Sequence, residues 1–136
     1  MEHAGLTSRI IAAAIDVHRA LGPGFLEVIY ERALLIELRR RAIPVESQVD
    51  VRVMYNGVSV GEHILDLLVE KTIVVELKAI KNLEDIHFAT VRSYLRAMGL
   101  EHGLLLNFNK PTLEIKRVIA RPIEREDRDE EPDAGS

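Results

Sequence analysis

Apolar positions along the chain recur first at helical spacing and then at a period of two, and each change of period marks an element boundary. Ile10, Ala14, Val17 and Leu21 share one helical stripe. They predict a helix from a cap at Thr7 or Ser8 to about Leu21, where Gly22-Pro23-Gly24 breaks it. His18 lies near that stripe and reads as a partly buried helix histidine. A second helix is predicted from about Phe25 to Arg41. Leu34, Leu35 and Leu38 give it an apolar side, and Arg39-Arg40-Arg41 suits the negative end of its dipole. After Pro44, the residues Val45, Ser47, Val49, Val51, Val53 and Tyr55 alternate with polar ones, a strand with one buried face. Asn56-Gly57 is a two-residue hairpin turn. A segment from Val58 leads into Ile64–Val69, and a turn near Glu70-Lys71 into a strand from Thr72 to Lys78.

Asn82, with Asp85 three residues on, predicts the capped start of a third helix that runs to about Met98 and stops at Gly99. Gly103–Phe108 is a short apolar run of the kind found in central strands, and Leu113–Ile119 alternates like an edge strand. The helix between the third and fourth strands is the crossover that parallel pairing needs. The fold class predicted is α/β (α+β), a mixed sheet flanked by helices.

Composition narrows the chemistry. The 136 residues suffice for one domain with a real core. There is no cysteine, which excludes disulfides, thiolate metal sites and cysteine nucleophiles and suits a cytoplasmic setting. No apolar run approaches the roughly 20 residues needed to cross a bilayer, so no membrane partner is expected. The net charge of −4 is concentrated at one end: Glu124 to Asp133 holds seven acids against Arg125 and Arg128. The remainder carries 16 basic and 15 acidic residues, so its charge neither favours nor excludes a polyanion. Residues 1–122 are therefore read as a single domain and 123–136 as an acidic tail expected to be disordered.

The stretch from Asp66 to Lys78 breaks the apolar pattern. Asp66, Glu76 and Lys78 are embedded among β-branched and leucine residues, where ionised groups are costly unless paired. Two carboxylates and an ammonium at one end of a hydrophobic hairpin suit a hard divalent cation and a phosphate. The cluster exists only in one register. A two-residue loop at Glu70-Lys71 would set Asp66 and Glu76 on opposite faces. A three-residue loop, or a bulge, would pair them. On the helices, Glu27 and Tyr30 fall on one face. So do His87, Thr90 and Tyr94, with Arg92 and Arg96 on another. Taken alone, Glu27 is an acid at a favourable helix N-terminus, Tyr30 a packing residue with a wet hydroxyl, and the arginines a solvated face.

Asp66 followed on the next strand by Glu76-Leu77-Lys78 resembles the signature of the PD-(D/E)XK nuclease superfamily. Gly24-Phe25-Leu26-Glu27-Val28-Ile29-Tyr30 resembles the motif of the GxxExxY family within it. The resemblance runs from about Val17 to Ala120. It implies a restriction-endonuclease-like αβββαβ core and a metal-dependent nuclease acting on DNA or RNA. By position, Asp66 and Glu76 would ligate Mg²⁺ or Mn²⁺, with the Leu77 carbonyl as a third ligand. Glu27 would complete the site directly or through water, and Lys78 would serve the attacking water or the developing charge. Tyr30, Thr90, Tyr94, Arg92 and Arg96 would support the site or the substrate. Thr90 stands where relatives usually carry glutamine. The basic residue often found just ahead of the aspartate is missing, with His63 the nearest candidate. The proline that opens the superfamily motif is absent. Two other readings stay open: a non-catalytic module of this fold that binds nucleic acid or a protein partner, and a buried ion-pair network without a ligand. The small size also raises the prospect of a homodimer.

Overall fold

Two apolar cores form on opposite faces of one sheet, and the division of side chains between them sets the architecture. The computed structural model describes residues 2–121. Helices α1 (Glu2–Leu21) and α2 (Glu27–Arg40) precede strands β1 (Val45–Tyr55), β2 (Val58–Val69) and β3 (Ile73–Lys78). Helix α3 (Asp85–Met98) and strands β4 (His102–Asn107) and β5 (Glu114–Ile119) follow. The strands lie in the order β1-β2-β3-β4-β5. Among the described residues only β3 and β4 are parallel, with α3 as their crossover, so the sheet is mixed as predicted. The 123–136 tail lies outside the described residues.

The larger core packs Ile10, Ala14 and Val17 of α1 and Tyr30, Leu34 and Leu38 of α2 against Leu67, Val69, Ile73, Val75 and Leu77. The smaller core packs Val91 and Leu95 of α3 against Val51, Leu65, Leu68, Val74 and Leu105. β3 is buried on both faces, which is why its sequence is almost unbroken in apolar residues.

Several boundaries differ from those predicted. Helix α1 begins at Glu2 rather than after Thr7 or Ser8, because Leu6 and the buried Thr7 extend its packed face by a turn. Helix α3 is capped by Glu84, not Asn82. The Glu84 side chain receives the His87 backbone N–H, and the Glu84 N–H donates to His87 Nδ1 at 2.8 Å. Asn82 instead accepts from Lys110 Nζ at 3.0 Å. Strand β1 does not keep one buried face. Val45 packs with the α1/α2 core, whereas Val49 and Val51 pack with the α3 core. Gln48 between them has φ 54°, and that left-handed residue inverts the alternation. Beyond Val51, β1 is exposed on both faces to Tyr55, because the β1–β2 hairpin runs past the helices. Its turn is the one predicted, with Asn56 (φ 50°) and Gly57 (φ 77°) both left-handed.

Helix α3 approaches β4 closely over Gly103. A Cβ there would sit 3.0 Å from Val91 Cγ1 and 3.4 Å from the Val74 carbonyl oxygen. The branched Val91 has no flexible end with which to yield. Gly103→Ala is therefore expected to destabilise the fold by about 1–3 kcal/mol, read as a lower midpoint in thermal or urea unfolding. An unchanged midpoint would contradict this packing.

Candidate active site

The connection between β2 and β3 is three residues long, Glu70 to Thr72, with Glu70 (φ 49°) and Lys71 (φ 57°) left-handed. It pairs Val69 with Ile73, Leu68 with Val74 and Leu67 with Val75. The next position of that register sets Asp66 opposite Glu76. There the backbone ladder gives way to side chains. The Asp66 N–H donates to Glu76 Oε1 at 3.0 Å, and the Leu77 N–H donates to Asp66 Oδ2 at 2.9 Å. Each carboxylate thus satisfies a backbone donor of the other strand. The two acids share the α3 side of the sheet, as the odd-length connection requires.

Lys78 ends β3 on the same face. The segment after it is clamped by Asn107, fully buried opposite Lys78 in β4. Asn107 Nδ2 donates to the Ile80 carbonyl at 2.9 Å, and its Oδ1 accepts from the Ile80 N–H at 3.1 Å. Glu27 reaches the site from the first turn of α2, whose start has no side-chain cap. The break at Gly22 (φ 72°) and Gly24 (φ 112°) is tied down by Tyr30 instead. Its hydroxyl donates to the Gly22 carbonyl and accepts the Phe25 N–H at 3.1 Å. Its buried ring stacks on Phe108 with centroids 4.5 Å apart.

Glu27, Asp66, Glu76 and Lys78 line one cleft of about 180 Å³. Thr90 and Tyr94 of α3 form its opposite wall, together with His63, Ile64, His87 and Val91. Arg92 and Arg96 do not line it, and Tyr30 lies beneath it as a support. The Thr90 hydroxyl donates to the Ile86 carbonyl of its own helix at 2.8 Å. His63 stacks on Tyr94 with centroids 4.0 Å apart. His63, Ile64, His87 and Val91 are wall residues outside the predicted site set. The signal for His87 was its helical spacing from Thr90 and Tyr94. Because His87 Nδ1 accepts the Glu84 N–H, the neutral ring carries its proton on Nε2.

The electrostatics of the cleft are those of unneutralised acids. Glu76 is 7% exposed, and its pKa is pushed up to about 8, first by burial and then by Asp66. Burial also raises Asp66, against the Leu77 N–H, Lys78 and His63, and raises Glu27, to which Asp66 adds. The Tyr94 hydroxyl is pushed up to about 12 by burial and by the two acids. Arg40 and Arg41 pair with Glu37 and Asp16 within 4.0 Å, and no such ion pair joins Lys78 to Asp66 or Glu76. The ion-pair network is therefore not formed. No group of three or more His, Cys, Asp or Glu side chains among the described residues is arranged to hold a metal ion. A cation here would rest on two carboxylates with backbone or water oxygens, a donor set that suits a hard ion.

The mixed five-stranded sheet with three helices is a restriction-endonuclease-like α+β fold. The family profile of the PD-(D/E)XK nuclease superfamily matches residues 4–118, and the chain belongs to that superfamily. Nucleases of this superfamily generally use divalent metals. Among solved structures, the crystal structure of SSO0001 is similar with a TM-score of 0.56 and 21% sequence identity. The match covers 72% of this chain and 51% of that one, so this chain spans about half its length, and the likeness shows the fold alone. No curated protein matches the chain. No helix among the described residues is long and apolar enough to cross a membrane.

The raised pKa of Glu76 carries a stability signature. In the metal-free protein the unfolded state loses this proton near the ordinary value of 4.5, and the folded state only near 8. Between those values the unfolded state binds fewer protons, so stability falls as pH rises through the window and levels off above it. The contribution is on the order of a few kcal/mol. Urea unfolding in chelator should show this decline, and Glu76→Gln should flatten it. An equal slope in both proteins would contradict the assignment.

Proposed function

We propose that the protein is a Mg²⁺- or Mn²⁺-dependent nuclease of the GxxExxY type, hydrolysing phosphodiester bonds in DNA or RNA. The observation that carries this reading is the register at Asp66 and Glu76, which gathers two uncompensated carboxylates beside Lys78 and Glu27 in one cleft. Asp66 and Glu76 would hold the ion with the Leu77 carbonyl, and Glu27 would reach it directly or through water. A bound ion of this kind supplies an acidified water and neutralises charge on the scissile phosphate. Lys78 is free of direct ion pairs, so its ammonium is available to orient the attacking water or to stabilise the developing oxyanion. Tyr30 holds Glu27 in place by fixing the turn before α2. His87 presents its Nε2–H to a phosphate oxygen, the contact that Thr90, bonded to its own helix, does not offer. Tyr94, stacked on His63, forms the apolar part of the wall with Ile64 and Val91. The lack of cysteine fits a cytoplasmic setting.

The engaged Thr90 hydroxyl and the absence of Arg92 and Arg96 from the cleft favour a second reading, a non-catalytic module that binds nucleic acid or a protein. The two readings separate in solution. Millimolar Mn²⁺ should raise the melting temperature of the wild type and not of Glu76→Ala. Mn²⁺-dependent cleavage should appear on single-stranded, duplex or branched DNA or RNA, and Lys78→Ala should slow it about 10²–10³-fold. Nucleic-acid binding without cleavage, unchanged in Lys78→Ala, would establish the second reading instead.

His87 can be tested apart from its capping role. His87→Asn keeps an acceptor near Nδ1 and removes the distal donor, so it should melt like the wild type but lose roughly tenfold or more in cleavage. His87→Gln restores a distal donor and should recover much of that loss. Full activity in His87→Asn would remove His87 from the substrate contacts.

A further inference from the structure

The β1–β2 hairpin leaves the body of the fold with its apolar residues uncovered. Tyr55 is 68% exposed and Val60 61%, and Val53, Met54, Val58 and Ile64 are also exposed. Of this set, Val53 lies in the stretch of outer strand β1 that a pairing strand would cover. Among the described residues β1 is also an outer strand, paired in the sheet with β2 alone, so its other edge is open to a further strand. The irregularity in the hairpin does not blunt that edge. Val53 pairs with Gly61 and Met54 with Ser59, so the extra residue, Val60, lies in β2 and β1 stays regular.

Charge selects the partner. Glu46, Asp50 and Glu62 outnumber Arg52 on this arm, which disfavours a phosphate backbone or an anionic membrane surface. The edge is, however, complementary to itself. Antiparallel pairing of two β1 strands about a two-fold axis at Val51 sets Asp50 of each copy opposite Arg52 of the other. The same register sets Val49 opposite Val53 and Val51 opposite itself. Asp50 and Arg52 are both exposed, so their side chains are free to meet. The ladder is bounded on one side by Gln48, whose left-handed backbone and 2.6 Å bond to Glu31 end the regular edge. The valines lie on the α3 side of the sheet, where the partner's Val49 would meet the exposed Val53.

We propose that the protein forms an isologous dimer through residues 49–53 of β1, joining two five-stranded sheets into one, with reciprocal Asp50–Arg52 pairs fixing the register. The two clefts would then lie on one continuous sheet, a route by which so small a domain can engage a longer substrate.

Sedimentation or light scattering of the full chain, at concentrations into the high micromolar range, tests this. The wild type should have a mass about twice 15.3 kDa. Asp50→Arg and Arg52→Asp should each be monomeric, since each places like charges across the axis. An equimolar mixture of the two should regain the dimeric mass, as should the double exchange, and loss of folding could not produce that recovery. Melting curves confirm that each variant is folded. A monomeric wild type would overturn the proposal, as would a dimer indifferent to both single substitutions or a mixture that stays monomeric. None of these outcomes depends on nuclease activity.

Discussion

Asp66 and Glu76 each bond the backbone of the other's strand, and the candidate site depends on that exchange. Backbone pairing of β2 with β3 stops at Leu67 and Val75. Beyond it, two carboxylate oxygens accept the N–H groups of Asp66 and Leu77. The arrangement orders both acids without a cation. It also leaves them close together and partly dehydrated: burial raises both pKa values, and the Asp66 charge raises that of Glu76 further. In the proposed reading, that stored repulsion is what a hard cation relieves.

The rest of the molecule holds this pair and its neighbours from three directions. The left-handed loop at Glu70 and Lys71 sets the register. Asn107, bonded on both its amide oxygen and nitrogen, anchors the chain just after Lys78. Tyr30 braces the glycine turn from below, so a helix that lacks a side-chain cap still starts at a fixed place and carries Glu27 into the cleft. Tyr30 and Asn107 are fully buried, as expected of a rigid scaffold that presents reactive groups.

Element order, the mixed sheet, the Asn56-Gly57 turn and the face shared by Glu76 and Lys78 were all legible in the sequence. Each rests on local periodicity or on turn chemistry. The failures have physical causes of another kind. Strand β1 changes faces at Gln48 because one residue takes a left-handed backbone, and glutamine gives no local sign of that. The α3 cap moved from Asn82 to Glu84 because a histidine nitrogen, rather than a second acid, completes the capping box. His63, named from sequence only as the nearest basic candidate ahead of Asp66, enters the wall through a stack on Tyr94 that joins residues distant in sequence. The length of the loop at Glu70 was the condition that sequence stated but could not decide.

The central claim is that Asp66 and Glu76 together form a divalent-cation site. Anomalous diffraction from crystals soaked in Mn²⁺ tests it most directly. The account predicts one strong peak in contact with oxygens of both side chains and within reach of the Leu77 carbonyl, and its loss in Glu76→Ala. Binding of Mn²⁺ only elsewhere, or no ordered peak at this cleft in the wild type, would contradict it.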